Sequence, residues 1–564
     1  MFAQSVSPGD GPDPTDRTFI KTSILAVLAI LAAVVLIRVV LLMVAGTNLF
    51  PEEAALWLRG RMPDFGTPDG PFFVPMVLGL ADRLLGEGLF VRDVITGVDG
   101  FNDEEAALRI PGTVAAAFAC WLLFRLGQAL VNVRVALWAA LLLLTLPLVS
   151  YISAIACVEP FVLAFWGWGM VALERALATN RLGHWLQCGL AWGFGMLSSY
   201  VAVLFLPCLV LFTLLSREHR GVWRRAGIWL GLAMAAVLIA PHLLWNAQNE
   251  WSALLGALAP LLGEAGSGVG SGAGAGTGWA LAALLGILLL ALGPVPLITP
   301  LVTLIAKSFA RTGARLESSA DAEGAQATAL ARGLAGLRTD GRGRGYPVKF
   351  LGCFFLPVLI AAIAWTVVTG EIDLVLLTPA AAPGALLTAM ALTRTTGGRT
   401  VMRATLVLHV VGAVLFFNLE SGARVAGFRP APSLDPFLSV RGMDTAGDWA
   451  AALSQRYPGA LLAFDDPEVM RVLQFYIVPH PLDARLVRSE ADLQQAEALL
   501  QDQPDRPLLL ITRSPEGVSE MIARRPGRLS RSAGYLILEI QDDIWLDLHA
   551  FLLKSDAGAP SNGS

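Results

Sequence analysis

Apolar residues run in long uninterrupted blocks through the first three quarters of the chain and in short alternating segments through the last quarter. The two rhythms predict two kinds of structure. A bilayer core of about 30 Å needs about 20 apolar residues in a helix. Runs of that length fall at roughly 22–45, 108–130, 133–150, 159–178, 183–198, 200–216, 224–245, 279–306, 348–369, 372–393 and 401–419, eleven in all. Residues 183–216 are too many for one straight span and few for two, so a break is expected near Ser198-Ser199-Tyr200, with protein or a cavity around the irregular backbone. Residues 430–555 read differently. Alternating strands are expected at Ala460–Phe464, Leu473–Val478, Leu508–Thr512 and Tyr535–Ile540, with helices at Thr445–Arg456 and Glu490–Gln501. The fold class is therefore a polytopic α-helical membrane protein with a small C-terminal α/β soluble domain.

Sidedness follows from where Lys and Arg collect, because short cytoplasmic loops retain them. Arg17, Lys21, Arg134, Arg175, Arg181, the 217–225 arginines, and Arg394, Arg399 and Arg403 all fall on one side. So does a linker at 307–349, with eight basic residues against four acidic ones. The opposite side receives 47–107, with eleven acids and four arginines, a Gly-rich stretch at 263–278, and everything after Glu420. The expected organisation is a cytoplasmic tail over 1–21, a transmembrane domain over 22–420 with a periplasmic first loop at 47–107, and a periplasmic α/β domain at 430–555. In a bacterial inner membrane the side opposite the Lys and Arg clusters is the periplasm. The first apolar run exceeds a signal-peptide core and lacks a clear cleavage site, so it reads as a retained helix.

Composition agrees with the pattern. Of 564 residues, 55% are apolar and 15% charged, and the mean hydropathy is +0.62, which excludes a single soluble domain. A net charge of −4 gives no reason to expect a nucleic-acid partner. The five cysteines lie in apolar stretches without CxxC spacing, so neither a disulfide framework nor a thiolate metal site is indicated.

Candidate chemistry concentrates on the outer side. Glu52 and Glu53 stand where the chain leaves the first span, and Asp64 to Pro71 form a turn-rich loop with two more acids, Asp64 and Asp69. Glu159 opens the fourth long run just before Pro160, where a missing N–H is tolerated; an ionisable group at a span boundary is costly and often functional. Trp245, Asn246, Asn249 and Trp251 form a polar cluster bracketed by indoles at the end of another span. Converging carboxylates would suit a hard divalent cation, but nothing in the sequence fixes a metal site and no other cofactor is indicated.

The order of these features resembles membrane glycosyltransferases of the GT-C fold, the family that includes protein O-mannosyltransferases and lipid A aminoarabinose transferases. Its Asp-Glu-Ala-Tyr-Tyr-Trp-like motif is matched by Glu52 to Trp57, its Gly-Tyr-x-Asp-x-Pro-Pro turn by Gly66 to Phe72, and its Arg-x-Pro by Arg109-Ile110-Pro111. Its Thr-x-Asp is matched by Cys157-Val158-Glu159, its Leu-Ser-Lys-Tyr break by Leu197 to Tyr200, and its Trp-Asn ending by Trp245-Asn246 with Trp251. Arg441-Gly442-Met443 and Phe475-Tyr476 resemble a turn and a Phe-Tyr strand in the tails of bacterial members. The sequence departs from the family at both motif aspartates, which are Glu52 and Glu159, at the basic positions, which are Gly70 and Ser199, and at the late His-Trp-Pro, which is Leu377-Thr378-Pro379.

The resemblance implies a GT-C-like fold of about 11 spans and transfer of a sugar from a polyprenyl-phosphate-linked donor to an envelope lipid, glycan or protein acceptor. It makes Glu52 the base, with Glu159 and Asp69 as supporting acids, and puts Glu53, Arg59, Arg109, Tyr200, Trp245, Asn246, Asn249 and Trp251 at the substrate; Arg61 and Arg92 are further candidates for the phosphate. A hydroxyl attacking an anomeric carbon must lose its proton, which a positioned carboxylate can accept, and the departing phosphate needs a cation or oriented N–H groups. The motif departures support an alternative, a catalytically lapsed relative that binds lipid-linked glycan or scaffolds an envelope complex. A transporter ranks last, since no internal repeat is found and the charges sit at span ends.

Overall fold

In a computed structural model of the chain, the described residues are 14–44, 47–62, 64–89, 103–262, 284–286, 345–417, 437–498, 506–517, 528–541 and 544–555, with single positions at 295, 298, 299, 302 and 435. The Gly-rich stretch, most of the 279–306 span, nearly all of the 307–349 linker, and Arg92 lie outside them.

The chain opens with α1 (Pro14–Val44), α2 (Pro51–Arg61) and α3 (Phe73–Ala81), the last running into a wider helical turn at Asp82–Leu89. It continues through α4 (Asp103–Leu130), α5 (Val133–Thr145), α6 (Pro147–Ile152), α7 (Glu159–Thr179) and α8 (Leu182–Ser198). After a tight turn at Tyr200–Leu204 come α9 (Phe205–Leu215), α10 (Ala226–Gln248) and α11 (Ser252–Leu262). Then follow α12 (Tyr346–Thr369), α13 (Leu374–Leu392) and α14 (Gly398–Phe417). Among the described residues, seven helices are long and apolar enough to cross a membrane, as a multi-pass membrane protein requires. The described residues group into two compact units, one drawn from Met1–Leu41, Asp64–Val74 and Arg109–Asn418, the other from Leu42–Pro63, Pro75–Leu108 and Leu419–Ser564.

Within the first unit the helices differ in what they face. Only 6% of the apolar window of α1 is buried by protein, against 83% for α13; α1 is apolar all round because lipid surrounds it, whereas α13 is a central packing helix. Its two internal prolines, Pro379 and Pro383, are tolerated because neighbouring helices enclose the freed carbonyls. The expected span 133–150 is instead two pieces. Pro147 cannot donate to the preceding turn, so α5 stops at Thr145 and α6 restarts at Pro147. Arg38 of α1 donates to the Leu144 carbonyl at 3.1 Å and to the hydroxyls of Ser150 and Ser153, capping that break. The break expected near Ser199 is present: α8 ends at Ser198, and the Ser199 hydroxyl accepts the Val201 N–H at 3.3 Å. α8 and α10 meet backbone to backbone, since a Cβ on Gly189 would lie 2.1 Å from the Gly231 carbonyl.

The second unit contains α2, most of α3 and the C-terminal α/β domain. That domain comprises α15 (Met443–Arg456), β1 (Leu461–Phe464), α16 (Pro467–Tyr476), β2 (Arg485–Leu486), α17 (Glu490–Ala498), β3 (Leu508–Thr512), β4 (Arg528–Gln541) and β5 (Ile544–Ser555). Its sheet has the order β2-β1-β3-β5-β4, parallel through the first three strands and antiparallel thereafter. The strand period of two sorts the core. Leu462, Phe464, Leu509 and Ile511 face one layer with Val469 and Leu473, and Leu461, Ala463, Leu508 and Leu510 face another with Leu493. Leu473–Val478, read as a strand, contains the end of α16, because Asp466 accepts the Glu468 and Val469 N–H groups and Pro467 follows it, a helix-start signal. Phe475-Tyr476 therefore lies on a helix.

Candidate active site

In the second unit, α2 begins at Pro51 and carries both glutamates in its first turn, where the macrodipole favours negative charge. They diverge. Glu52 is exposed. Glu53 is 1% exposed, and its Oε2 accepts the Phe50 N–H at 2.9 Å. Glu53, expected at the substrate, thus closes the start of its own helix, half of a capping box. Arg59 is half-buried, its Nε donating to the Ala55 carbonyl at 3.1 Å. Seven residues separate Glu52 from Arg59, which puts them on one helix face about 10 Å apart along the axis.

The buried face of α2 is held by Trp57, which is fully buried. Its indole N–H donates to Asp82 Oδ2 at 2.9 Å, and Arg61 meets the same oxygen at 2.8 Å while lying over the Trp57 ring. The ring packs edge-on against Phe475 and His480. Gly60 lets α2 meet α3 closely: a Cβ there would lie 2.3 Å from the Pro75 carbonyl. The family-like Trp57 is thus a packing anchor in this chain.

In the first unit, Asp64 to Phe72 form an ordered loop against the end of α10. Thr67 and Gly70 exchange backbone hydrogen bonds of 3.2 and 3.0 Å, and Gly70 has φ of 139°. That conformation favours glycine, so the position where the family carries a base serves a tight turn. Asp69 is exposed at the tip. Trp245 donates to Asp64 Oδ2 at 2.7 Å, and Gly66 lies beneath the Trp245 and His242 rings.

His242 organises this region, and the sequence reading passed over it. Its Nδ1 lies 2.9 Å from the Phe65 carbonyl, which only accepts, so Nδ1 carries a proton. Asn246 Oδ1 accepts the Leu254 N–H at 3.2 Å, which fixes its amide with Nδ2 toward His242 Nε2 at 3.1 Å. Nε2 is therefore an acceptor, the ring is neutral, and the Tyr200 hydroxyl donates to it at 2.7 Å. Tyr200, Asn246 and Trp245, all expected at the site, are brought together through this histidine. Asn249 donates to the Trp245 carbonyl at 2.8 Å, and left-handed Glu250 and Trp251 turn the chain into α11. The one sequence signal for His242 is its spacing of four from Asn246, one helical turn.

Glu159 opens α7, half-buried, and Asp373 lies within electrostatic reach of it. Asp373 accepts the Val375 N–H at 2.8 Å as the N-cap of α13. Phe73 packs against Phe161, Phe165 and Phe194, tying the end of the loop to α7 and α8. Arg109 is 1% exposed. Glu52, Glu53 and Arg59 therefore belong to one unit, and Asp69, Arg109, Glu159, Tyr200, Trp245, Asn246, Asn249 and Trp251 to the other. No group of three metal-ligating side chains occurs among the described residues.

Comparison with known proteins agrees with this architecture. The family profile described as dolichyl-phosphate-mannose-protein mannosyltransferase matches residues 94–245. The chain is similar to the lipid A galacturonosyltransferase RgtD of Rhizobium johnstonii, at 24% identity over 213 residues; the match spans 38% of this chain and 41% of that protein. Among solved structures, ArnT from Cupriavidus metallidurans bound to undecaprenyl phosphate superposes with a TM-score of 0.56 at 15% identity, covering 93% of this chain and 97% of that one. Its apo state gives 0.55 at 14% identity, over 95% and 99%. The fold is that of the GT-C class of membrane proteins.

Proposed function

We propose that the protein is a membrane glycosyltransferase that moves a sugar from a polyprenyl-phosphate-linked donor to an envelope lipid, glycan or protein on the periplasmic face of a bacterial inner membrane. The observation that carries this reading is Glu52, an exposed carboxylate at the start of a helix whose other face is buried, in a fold shared with a protein that holds undecaprenyl phosphate. Glu52 takes the acceptor hydroxyl's proton as its oxygen attacks the anomeric carbon and the lipid phosphate departs. Glu159 and Asp69 are the supporting acids. Arg59 and Arg109 serve the phosphate, and Asn246, with Tyr200 through His242, orders the acceptor side.

A second reading, a lapsed relative that binds lipid-linked glycan without turnover, is favoured by one feature. Gly70 and Ser199 stand where the family has basic residues, and here they serve a tight turn and a cap. Purified protein in vesicles, supplied with radiolabelled polyprenyl-phosphate hexose, hexuronic acid and aminopentose, separates the two. Label moved to lipid, glycan or protein acceptors supports the enzyme; donor binding with no transfer from any of them supports the lapsed relative.

A further inference from the structure

The residues just before Glu52 are held one after another by the C-terminal domain. Asn48 Nδ2 donates to Asp444 Oδ1 at 3.0 Å, the Leu49 N–H donates to the Tyr476 hydroxyl at 2.9 Å, and the Phe50 ring lies 5.8 Å from that of Phe437. All belong to the second unit. Leu49 precedes the helix cap, so its N–H has no partner within α2. Leu49 is fully buried and Glu105 nearly so, at 7% exposure. Tyr476 bonds to both, accepting from Leu49 and donating to Glu105 Oε1 at 3.0 Å. One hydroxyl thus links the start of α2, the start of α4 and the end of α16.

We propose that Tyr476 is a positioning residue for sugar transfer: its hydroxyl fixes the chain entering α2, and so the reach of the Glu52 carboxylate. The C-terminal domain is then part of the catalytic apparatus as well as a soluble appendage. The proposal rests on the reading that Glu52 is the base. Only the hydroxyl oxygen is lost in Tyr476→Phe, and the ring that packs edge-on against Phe475 stays. Loss of the hydroxyl frees the Leu49 end of the helix to shift, and misplacement of about 1 Å costs up to about a hundredfold in rate.

The test uses the full chain in vesicles with the radiolabelled donor that supports turnover. Tyr476→Phe is expected to lower kcat about ten- to a hundredfold with donor KM within about twofold, while Tyr535→Phe, on the exposed face of β4, keeps wild-type values. Glu52→Gln/Tyr476→Phe is expected to be no slower than Glu52→Gln alone, because the tyrosine acts through the glutamate. A folded Tyr476→Phe with wild-type kcat overturns the proposal, as does a double variant clearly slower than Glu52→Gln. Full activity of Glu52→Gln removes the base reading instead. Amide hydrogen exchange tests the link without turnover: exchange over Leu49–Ala54 is expected to rise in Tyr476→Phe, and unchanged exchange overturns the proposal. For a Tyr476→Phe chain that does not fold, Glu105→Ala keeps the Leu49 bond but removes the hydroxyl's anchor, with a smaller drop in kcat expected and none overturning it.

Discussion

Replacing Trp57 by Phe removes the indole donor from a buried carboxylate while keeping an aromatic ring at the site. Asp82 is 3% exposed and receives the Trp57 N–H at 2.9 Å and the Arg61 guanidinium at 2.8 Å on one oxygen. A hydrogen bond to a charged group contributes about 1.5–3 kcal/mol. The smaller phenyl ring also weakens the edge contacts to Phe475 and His480, a further loss of about 0.5–1.5 kcal/mol. Trp57→Phe should therefore destabilise the second unit by about 2–4 kcal/mol. The decisive assay is a double-mutant cycle of Trp57→Phe and Asp82→Ala, read by reversible unfolding in mild detergent. The expected coupling is about 1.5–3 kcal/mol. Additivity within about 0.5 kcal/mol would refute the claim that this bond anchors α2.

Three other outcomes follow from the same geometry. Gly66→Ala should destabilise the 64–72 loop by about 1–3 kcal/mol, because its Cβ would lie 2.5 Å from the Trp245 ring; an unchanged unfolding midpoint would contradict the packing. Tyr200→Phe should cost about 0.5–1.5 kcal/mol while leaving His242 bonded to Phe65 and Asn246, and a gain in stability would contradict the donor assignment. Asp373 caps α13, accepting the Val375 N–H at 2.8 Å. Asp373→Ala should therefore cost about 0.5–2 kcal/mol, and an unchanged unfolding midpoint would exclude the cap.

The membrane part of the fold was legible because lipid imposes long apolar runs on helices such as α1, α7 and α14. The halves of 133–150 were not separated, since Pro147 acts on the backbone without interrupting the apolar pattern. Leu473–Val478 was misread because a short apolar run at a helix end mimics a strand, while the cue at Asp466-Pro467 lies just upstream of it. In the site, Tyr200, Trp245 and Asn246 were visible as polar groups at span ends. His242 was not, since its role depends on the Phe65 carbonyl, 177 residues away. The division of labour between Glu52 and Glu53 was likewise hidden, because adjacent identical side chains differ only in which face of α2 they occupy.

Single-turnover transfer in vesicles by wild type, Glu52→Gln and Glu52→Asp decides whether Glu52 is the base in transfer from a lipid-phosphate sugar. With Glu52 as the base, Glu52→Gln loses about a hundred- to ten-thousandfold in rate, donor binding is unchanged and Glu52→Asp keeps partial activity. Equal rates for Glu52→Gln and wild type would contradict it.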